Sequence, residues 1–443
     1  MKENNYKAAC NYLDDTLVFG IKPGLERIKK FLELTDHPEK KADFIHIVGT
    51  NGKTSTAKIT ASILKHHGMK SGYYISPHIH SYTERIAFDG KEISENDFSS
   101  LFKEIMPVVR NINEMDINGA MTQFEILTSM MFYACRKNNV DVMVMEAGMG
   151  GRWDATNAAD AKVVGLTGVS LEHTRILGRT ITRIASEKSE VIKNNCLVAS
   201  NSTNLRVNNI FSEKSARTGS MLYIYKKDFE IKKVLEESIE GAEVALKGIF
   251  KYYDNIFIPL AGDYQKKNLL LSVVLSELYL NTLSMETEQN KINGALGKTN
   301  ITGRFQIIKK EPFFIADASH NPEGIKNFVK NIKRFFPDKK KIIIFSVLRD
   351  KDYQKMIEDV TKIADILIIS SSLTDRSLPV EEVEKNVLDI ISVLKTKKKK
   401  YPEKVITIDN IENSVKYALN LAEKDDIISL TGSITNLEFV KTV

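Results

Sequence analysis

Short apolar runs alternate along this chain with longer stretches whose apolar positions recur every third or fourth residue. Residues 25–34 carry the helical spacing, 44–48 form a compact apolar run with β-branched side chains, and 53–67 return to a helical face around Ile59 and Ile63. A glycine-rich turn at 49–52 joins the last two, so strand, turn and helix follow one another as in a phosphate-binding α/β unit. Further strands are predicted at 72–75, 140–145 and 163–169, and helices at 95–109, 123–137 and 180–193. From 223 to 260 the pattern shifts: runs at 244–250 and 256–260 flank 252–255 and predict a hairpin turning at Asp254-Asn255. Residues 263–280 read as helix. The alternation then restarts, with strands at 313–316, 341–347, 365–370, 405–408 and 426–430 and helices at 322–335, 352–364, 380–394 and 411–422. This order predicts two α/β domains with mostly parallel sheets, divided near 295–301 into 1–298 and 299–443.

Composition narrows the class. The 443 residues are 42% hydrophobic and 27% charged, with 23 Gly and 10 Pro, which excludes collagen-like and disordered chains. No apolar run approaches the ~20 residues that cross a bilayer, so no membrane partner is expected. The start, MKENNYKAACNYLDD, lacks a basic-then-apolar leader, and a cytoplasmic location is expected. Cys10, Cys135 and Cys196 are odd in number and far apart, which fits a reducing compartment and neither a disulfide framework nor a metal cluster. With 63 basic and 57 acidic side chains the net charge is +6, a mild excess that suits anionic small substrates. The lysine run at 395–400 reads as solvated surface, and without a reader motif beside it no nucleic-acid partner is expected.

Four motifs carry candidate chemistry. Gly49-Thr50-Asn51-Gly52-Lys53-Thr54-Ser55 follows a strand and opens a helix. Its glycines permit close backbone approach, its amides point at an anion, Lys53 adds charge, and Thr54 or Ser55 is placed to reach a phosphate-bound magnesium ion. The strict phosphate-loop pattern wants glycine where Ile47 stands, so the loop is a variant form. The strand at 140–145 delivers Glu146 to its carboxyl end, the edge where open α/β sheets bind ligands, and a carboxylate there can hold the magnesium ion. Glu172-His173-Thr174 follows the next strand; alone it fits a satisfied polar residue, and beside the loop and Glu146 it fits a metal ligand. Asp317-Ala318-Ser319-His320-Asn321-Pro322 closes the first strand of the second domain. Asn321 and Pro322 suit the head of a helix, whereas a capped turn does not account for Asp317 and His320.

Together these pieces resemble the folylpolyglutamate synthase and dihydrofolate synthase family, the folate branch of the Mur-type ATP-dependent amide ligases. The resemblance runs along nearly the whole chain. It includes Gly24-Leu25-Glu26-Arg27-Ile28, Ser76-Pro77-His78, Glu84-Arg85-Ile86, Phe124-Glu125-Ile126-Leu127-Thr128, and Gly150-Gly151-Arg152 with Asp154-Ala155-Thr156-Asn157. His173-Thr174, Leu177-Gly178, Glu187-Lys188, Gly262 with Gln265 and Asn268, Gly303-Arg304, Asp350-Lys351-Asp352 and Thr431-Gly432-Ser433 follow in order. It implies a phosphate-loop ATPase domain plus a smaller Rossmann-like ligase domain. It also implies an enzyme that joins L-glutamate to a folate through an acyl phosphate, giving ADP and phosphate, with dihydropteroate a further acceptor. ATP and Mg2+ are the implied cofactors, folate and L-glutamate the partners, and a monomer is expected.

Carried over by the same resemblance, the loop from Gly49 through Thr50, Asn51, Gly52, Lys53 and Thr54 to Ser55 would hold the ATP phosphates, with Lys53 at the β- and γ-phosphates. Ser76 and Glu146 would bind one magnesium ion and His173 a second, while Lys188 would be carbamylated. Asn268, Arg304 and Asp317 would meet the nucleotide, His320 the reacting centre, and Phe124, Arg152 and Asp154 the folate. The chain departs from the folate branch at Thr54, where glycine is usual, and at Trp153, Glu172 and the run Ser346-Val347-Leu348-Arg349. Two rivals stand beside this reading. A Mur-type ligase for a non-folate acceptor would need an amino-terminal domain for a UDP-sugar, and about 43 residues before the first strand are too few for one. A nucleotide-binding phosphate-loop regulator would have no use for Glu146, His173, Lys188 and Asp317 together.

Overall fold

The runs predicted as sheet strands are strands in the structure, a computed structural model that describes residues 3–20, 22–297, 301–372 and 374–442. In the first sheet β1 (Asp43–Val48), β2 (Ser71–Tyr74), β3 (Ile86–Phe88), β4 (Lys91–Glu92), β5 (Val142–Glu146), β6 (Val163–Leu166), β7 (Leu197–Ser200) and β8 (Met221–Ile224) are ordered β4-β3-β2-β5-β1-β6-β7-β8. All neighbours pair in parallel except the antiparallel β2-β3-β4 edge. β5 is buried along its whole length and β1 after its first residue, as a strand covered by helices on both faces must be. The helix Gln123–Lys137 packs Phe132 edge-on against Phe44 of β1, ring centroids 5.4 Å apart, and starts with a capping box between Thr122 and Glu125.

A second, three-stranded sheet comprises β9 (Glu230–Ser238), β10 (Gly241–Lys247) and β11 (Tyr252–Ile258). The hairpin turn differs from expectation: it lies at 248–251, where Gly248 N bonds Lys251 O at 2.8 Å, and Asp254-Asn255 sits inside β11. Glu277 decides the register. Its buried carboxylate accepts Ile249 N at 2.7 Å and the Tyr253 hydroxyl at 2.7 Å, and a Cβ on Gly248 would stand 2.4 Å from its oxygens. The helix Glu95–Glu114 also runs past the predicted end at 109 and through Pro107, because Phe98, Leu101, Ile105, Val109 and Ile112 keep burying one face.

The third sheet holds β12 (Gln306–Lys310), β13 (Phe313–Ala316), β14 (Lys341–Phe345), β15 (Ile366–Ser370), β16 (Lys404–Ile408) and β17 (Ile427–Thr431), ordered β12-β13-β17-β14-β15-β16. It is parallel apart from the edge strand β12. The helix Pro322–Phe335 begins as expected: Asn321 Oδ1 accepts Gly324 N at 2.9 Å and Pro322 occupies the first turn. Phe305, Phe328, Phe345 and Ile357 share its core.

By compactness the chain divides into Met1–Leu235 with Glu243–Ile258 and Gln265–Thr299, and Glu236–Ala242 with Pro259–Tyr264 and Asn300–Val443. The boundary expected at 298/299 lies outside the described residues. Among the described residues no helix is long and apolar enough to cross a membrane.

Candidate active site

The phosphate loop is shaped by what surrounds its glycines. Gly49 has φ 150°, and a Cβ there would lie 1.9 Å from Thr167 Oγ1. Thr50 N donates to Gly168 O at 2.9 Å, and Thr50 Oγ1 accepts Ser170 N at 3.0 Å, so the segment after β6 braces the loop. Gly52 has φ 87°, and its Cβ would fall 2.4 Å from Asn268 Oδ1, which brings Asn268 against the loop. The helix Lys53–His66 starts directly after it, with no side-chain cap on its first amides among the described residues.

Glu146 ends β5 beside Ile47 of β1 and is 2% exposed. The Thr54 hydroxyl donates to its Oε2 at 2.8 Å, Ser76 N approaches the same oxygen at 3.4 Å, and Lys53 Nζ lies 3.8 Å from Oε1. Lys53 Nζ also donates to Thr50 O at 3.1 Å. The two open alternatives separate here: Thr54 faces the carboxylate, whereas Ser55 Oγ is buried without a partner among the described residues. A hydroxyl and a carboxylate are the hard oxygen donors that magnesium takes. No three His, Cys, Asp or Glu gather to hold a metal ion among the described residues.

Lys188, on the helix Ile181–Ser189, is buried and donates from Nζ to Gly49 O at 2.7 Å. Burial and the neighbouring charge of Lys53 push its pKa down to about 7, against the pull of Glu172 and Asp154. Glycine lets this helix approach: a Cβ on Gly151 would be 2.6 Å from Glu187 O. His173 stands in the left-handed region at φ 50° and heads the short turn Thr174–Leu177 after β6, on the same sheet edge.

The three folate candidates differ. The Phe124 ring lies on Gly148, where a Cβ would be 2.7 Å away. Arg152 reaches back to Glu187 and Glu190, 3.4 Å each, at the surface. Asp154 is buried, and its oxygens accept Thr156 Oγ1 at 2.5 Å, Thr156 N at 3.1 Å and Met149 N at 2.7 Å. Burial raises its pKa and these donors oppose the rise. Thr156 Oγ1 is also 2.8 Å from Nε2 of His46, a fully buried imidazole on β1 that burial holds neutral, with its pKa lowered to about 3. Sequence reading missed His46 because a single histidine in a strand gives no signal of what it faces.

In the second unit Asp317 follows β13 and is buried. Its carboxylate accepts Phe305 N at 2.9 Å and Ser319 N at 3.0 Å. Burial raises its pKa, opposed by Ser319 and the charge of Arg304. His320 Nδ1 lies 2.9 Å from Ala318 O, so that nitrogen carries the proton.

Against known proteins, the family model described as the Mur ligase middle domain matches residues 47–276, and the Mur ligase, glutamate ligase domain matches residues 303–434. The chain belongs to the Mur ligase family. The dihydrofolate synthase/folylpolyglutamate synthase of Bacillus subtilis is 29% identical to this Mur ligase over 434 residues, covering 97% of this chain and 96% of that one. The folylpolyglutamate synthase of Lacticaseibacillus casei is 28% identical over 354 residues, covering 80% and 82%. Among solved structures, Mycobacterium tuberculosis folylpolyglutamate synthase complexed with ADP superposes with a TM-score of 0.92 at 27% identity, covering 100% of this chain and 98% of that one. The expected fold class, a phosphate-loop α/β domain joined to a smaller α/β ligase domain, therefore holds.

Proposed function

We propose that this chain joins L-glutamate to a folate at the expense of ATP. The observation that carries the reading is the Thr54–Glu146 bond beside Lys53, at the carboxyl edge of β1 and β5. That arrangement suits the phosphates of a nucleoside triphosphate, in a chain whose relatives are named for folate ligation. A carboxylate cannot acylate an amine directly because its oxide is a poor leaving group. In the first step the folate carboxylate oxygen bonds to the γ-phosphorus, the bond to the β-phosphate oxygen breaks, and ADP leaves. In the second the glutamate amine attacks the acyl carbon, loses a proton, and the carbon–oxygen bond to phosphate breaks.

Lys53 and the amides of the helix Lys53–His66 would hold the β- and γ-phosphates, while Asn268 keeps Gly52 in its left-handed turn. Thr54, Glu146 and Ser76 would hold magnesium, which neutralises the charge that builds up on the phosphoryl oxygens. His173 is assigned to a second ion. Lys188 is assigned a carbamate: its depressed pKa leaves a neutral amine, to which CO2 adds with loss of a proton, turning a buried cation into an anion. Phe124 is the folate contact that the local geometry favours, because Arg152 and Asp154 already have partners that hold their own loop. On the second unit, Arg304 and Asp317 are assigned to the nucleotide and His320 to the reacting centre. The three cysteines are free, in keeping with a cytoplasmic enzyme, and we take it to act as a monomer.

The test is ADP release measured with each substrate omitted in turn, then transfer of radiolabelled glutamate to tetrahydrofolate and to dihydropteroate separately. ADP release that needs both a folate and glutamate is expected. Release without folate, or with a different amino acid only, overturns the reading. Transfer to tetrahydrofolate alone would make it a tail-extending enzyme, and transfer to both a bifunctional one.

A further inference from the structure

One buried cation of the larger unit has no part in the machinery described so far. Arg85 stands immediately before β3 and is 7% exposed. Its Nε donates to His78 Nδ1 at 2.9 Å, and its guanidinium carbon lies over the Tyr82 ring, 5.4 Å from the centroid. A guanidinium only donates, so His78 Nδ1 is the bare nitrogen of a neutral ring and brings no compensating charge. Glu84, the adjacent carboxylate, is spent on the amides of Ile79, His80 and Ser81 at 2.9, 2.5 and 2.8 Å. Glu146 and Glu84 are near enough to favour its charge, but no carboxylate among the described residues lies within ion-pair distance of Arg85 or accepts a bond from its terminal nitrogens.

Arg27 shows what a structural arginine looks like in the same unit. It is 1% exposed, its Nε is 3.0 Å from both oxygens of Glu125, and its terminal nitrogens donate to Asn118 O and Lys22 O at 3.0 Å each. Every donor group has an acceptor. Arg85 is nearly as buried and has one neutral acceptor for its whole fork. Burying a charge without its counter-ion is costly, and protein interiors avoid it unless a ligand completes the pair.

The surroundings say which anion. The triphosphate already has Lys53 and the helix amides. Arg85 lies on the other side of Glu146, towards β2 and β3, and shares Tyr82 with the head of the helix Gln123–Lys137: the Tyr82 hydroxyl accepts from Gln123 Nε2 at 2.7 Å and donates to Asp14 at 2.6 Å. Phe124 is the next residue of that helix. We infer that the two terminal nitrogens of Arg85 bind the acceptor's carboxylate, the group that is to be phosphorylated, and hold it between Phe124 and the γ-phosphate. A planar fork matches a carboxylate in two bonds, which a lysine ammonium cannot do. The inference rests on the folate-ligase reading for the identity of the acid.

The experiment uses the full chain and two variants, Arg85→Lys and Arg85→Met. In Arg85→Lys the KM for tetrahydrofolate is expected to rise about tenfold or more, with the KM for ATP within about twofold of wild type. A rise in the ATP KM instead would mean that Arg85 serves the phosphates, and no change in either would mean that it serves no substrate; both overturn the inference. Thermal unfolding supplies a readout without turnover. Ligand-free Arg85→Met is expected to melt no lower than wild type, because the substitution removes an unpaired buried charge. It should lose the upward shift that tetrahydrofolate gives wild type while keeping the shift given by ATP. A marked drop in the ligand-free midpoint would assign Arg85 to structure and sink the proposal. If wild type itself shows no folate-dependent ADP release, the functional reading fails, and the ligand-free melt still judges whether Arg85 is structural.

Discussion

The carboxyl ends of β1 and β5 in the first sheet and of β14, β15 and β17 in the third are built from opposite materials. At the β1–β5 edge the residues are charged and crowded: Lys53, Lys188 and Glu146 lie around one loop, and two of them are almost wholly buried. At the β14–β15–β17 edge the buried polar groups are neutral. Ser346 Oγ is 2.6 Å from Ser372 Oγ, and both hydroxyls lie within 2.9 Å of Asn436 Oδ1. One topology thus carries two electrostatic regimes. The first keeps charge out of water at some cost in stability, as the site proposed for a polyanion and its metal would require. The second fixes loop positions by hydrogen bonds whose strength does not depend on protonation.

Removing charge from the first edge should therefore have the largest effect on catalysis. Lys53→Ala and Glu146→Ala are each expected to lower turnover by about 10^2-fold or more, since Lys53 is proposed to meet the charge that develops during phosphoryl transfer and Glu146 to hold the magnesium ion. Circular dichroism should show both variants folded. Near-normal turnover in either would remove that residue from the assigned site and weaken the contrast between the edges.

The next test reads the cost of buried charge directly. The Lys188 pKa is about 7 in the folded protein against an ordinary 10.5, so between those values the unfolded chain binds a proton that the folded chain does not. Stability should rise with pH across that window, and the full burden should be present below pH 7. In CO2-free buffer Lys188→Met is expected to be more stable than wild type at pH 6, by on the order of a few kcal/mol, with the advantage shrinking towards pH 10. Urea denaturation at several pH values measures it. A difference that stays flat with pH would mean that Lys188 titrates normally.

The sequence speaks clearly where burial is symmetric and weakly where contacts are distant. β1, β5 and β14 are apolar throughout because both faces are covered, and such runs are legible without any partner. β9 was not predicted because most of its residues are exposed and no face of it is marked by burial. The hairpin register was misread for a related reason: Asp254-Asn255 has the composition of a turn, but the turn is set by Glu277, which no local pattern announces. The site divides in the same way. The loop from Gly49 to Ser55 is a contiguous motif and could be read from its order alone. The Lys188–Gly49 bond, the His46–Thr156 contact and the unpaired fork of Arg85 join residues far apart in sequence, and only the fold brings them together.

The smallest expected effect tests the neutral edge. In the Ser346–Ser372–Asn436 group two hydroxyl protons face three contacts, so at any instant one contact goes without a proton. Removing one hydroxyl therefore costs less than its number of neighbours suggests: in Ser372→Ala, Ser346 still donates to Asn436 Oδ1, and the backbone amide of residue 372 still donates to the Ser377 hydroxyl, a bond of 2.9 Å. The expected loss is about 1 kcal/mol by urea denaturation, equal at pH 6 and pH 9 because no member of the group titrates in that range. Ser346→Ala alone should cost about the same, and the double variant should cost more than the sum, since Asn436 Oδ1 then loses both donors and is left buried and unsatisfied. A strictly additive pair would mean that the hydroxyls act independently, and a pH-dependent loss would mean that a charged group reaches this edge after all.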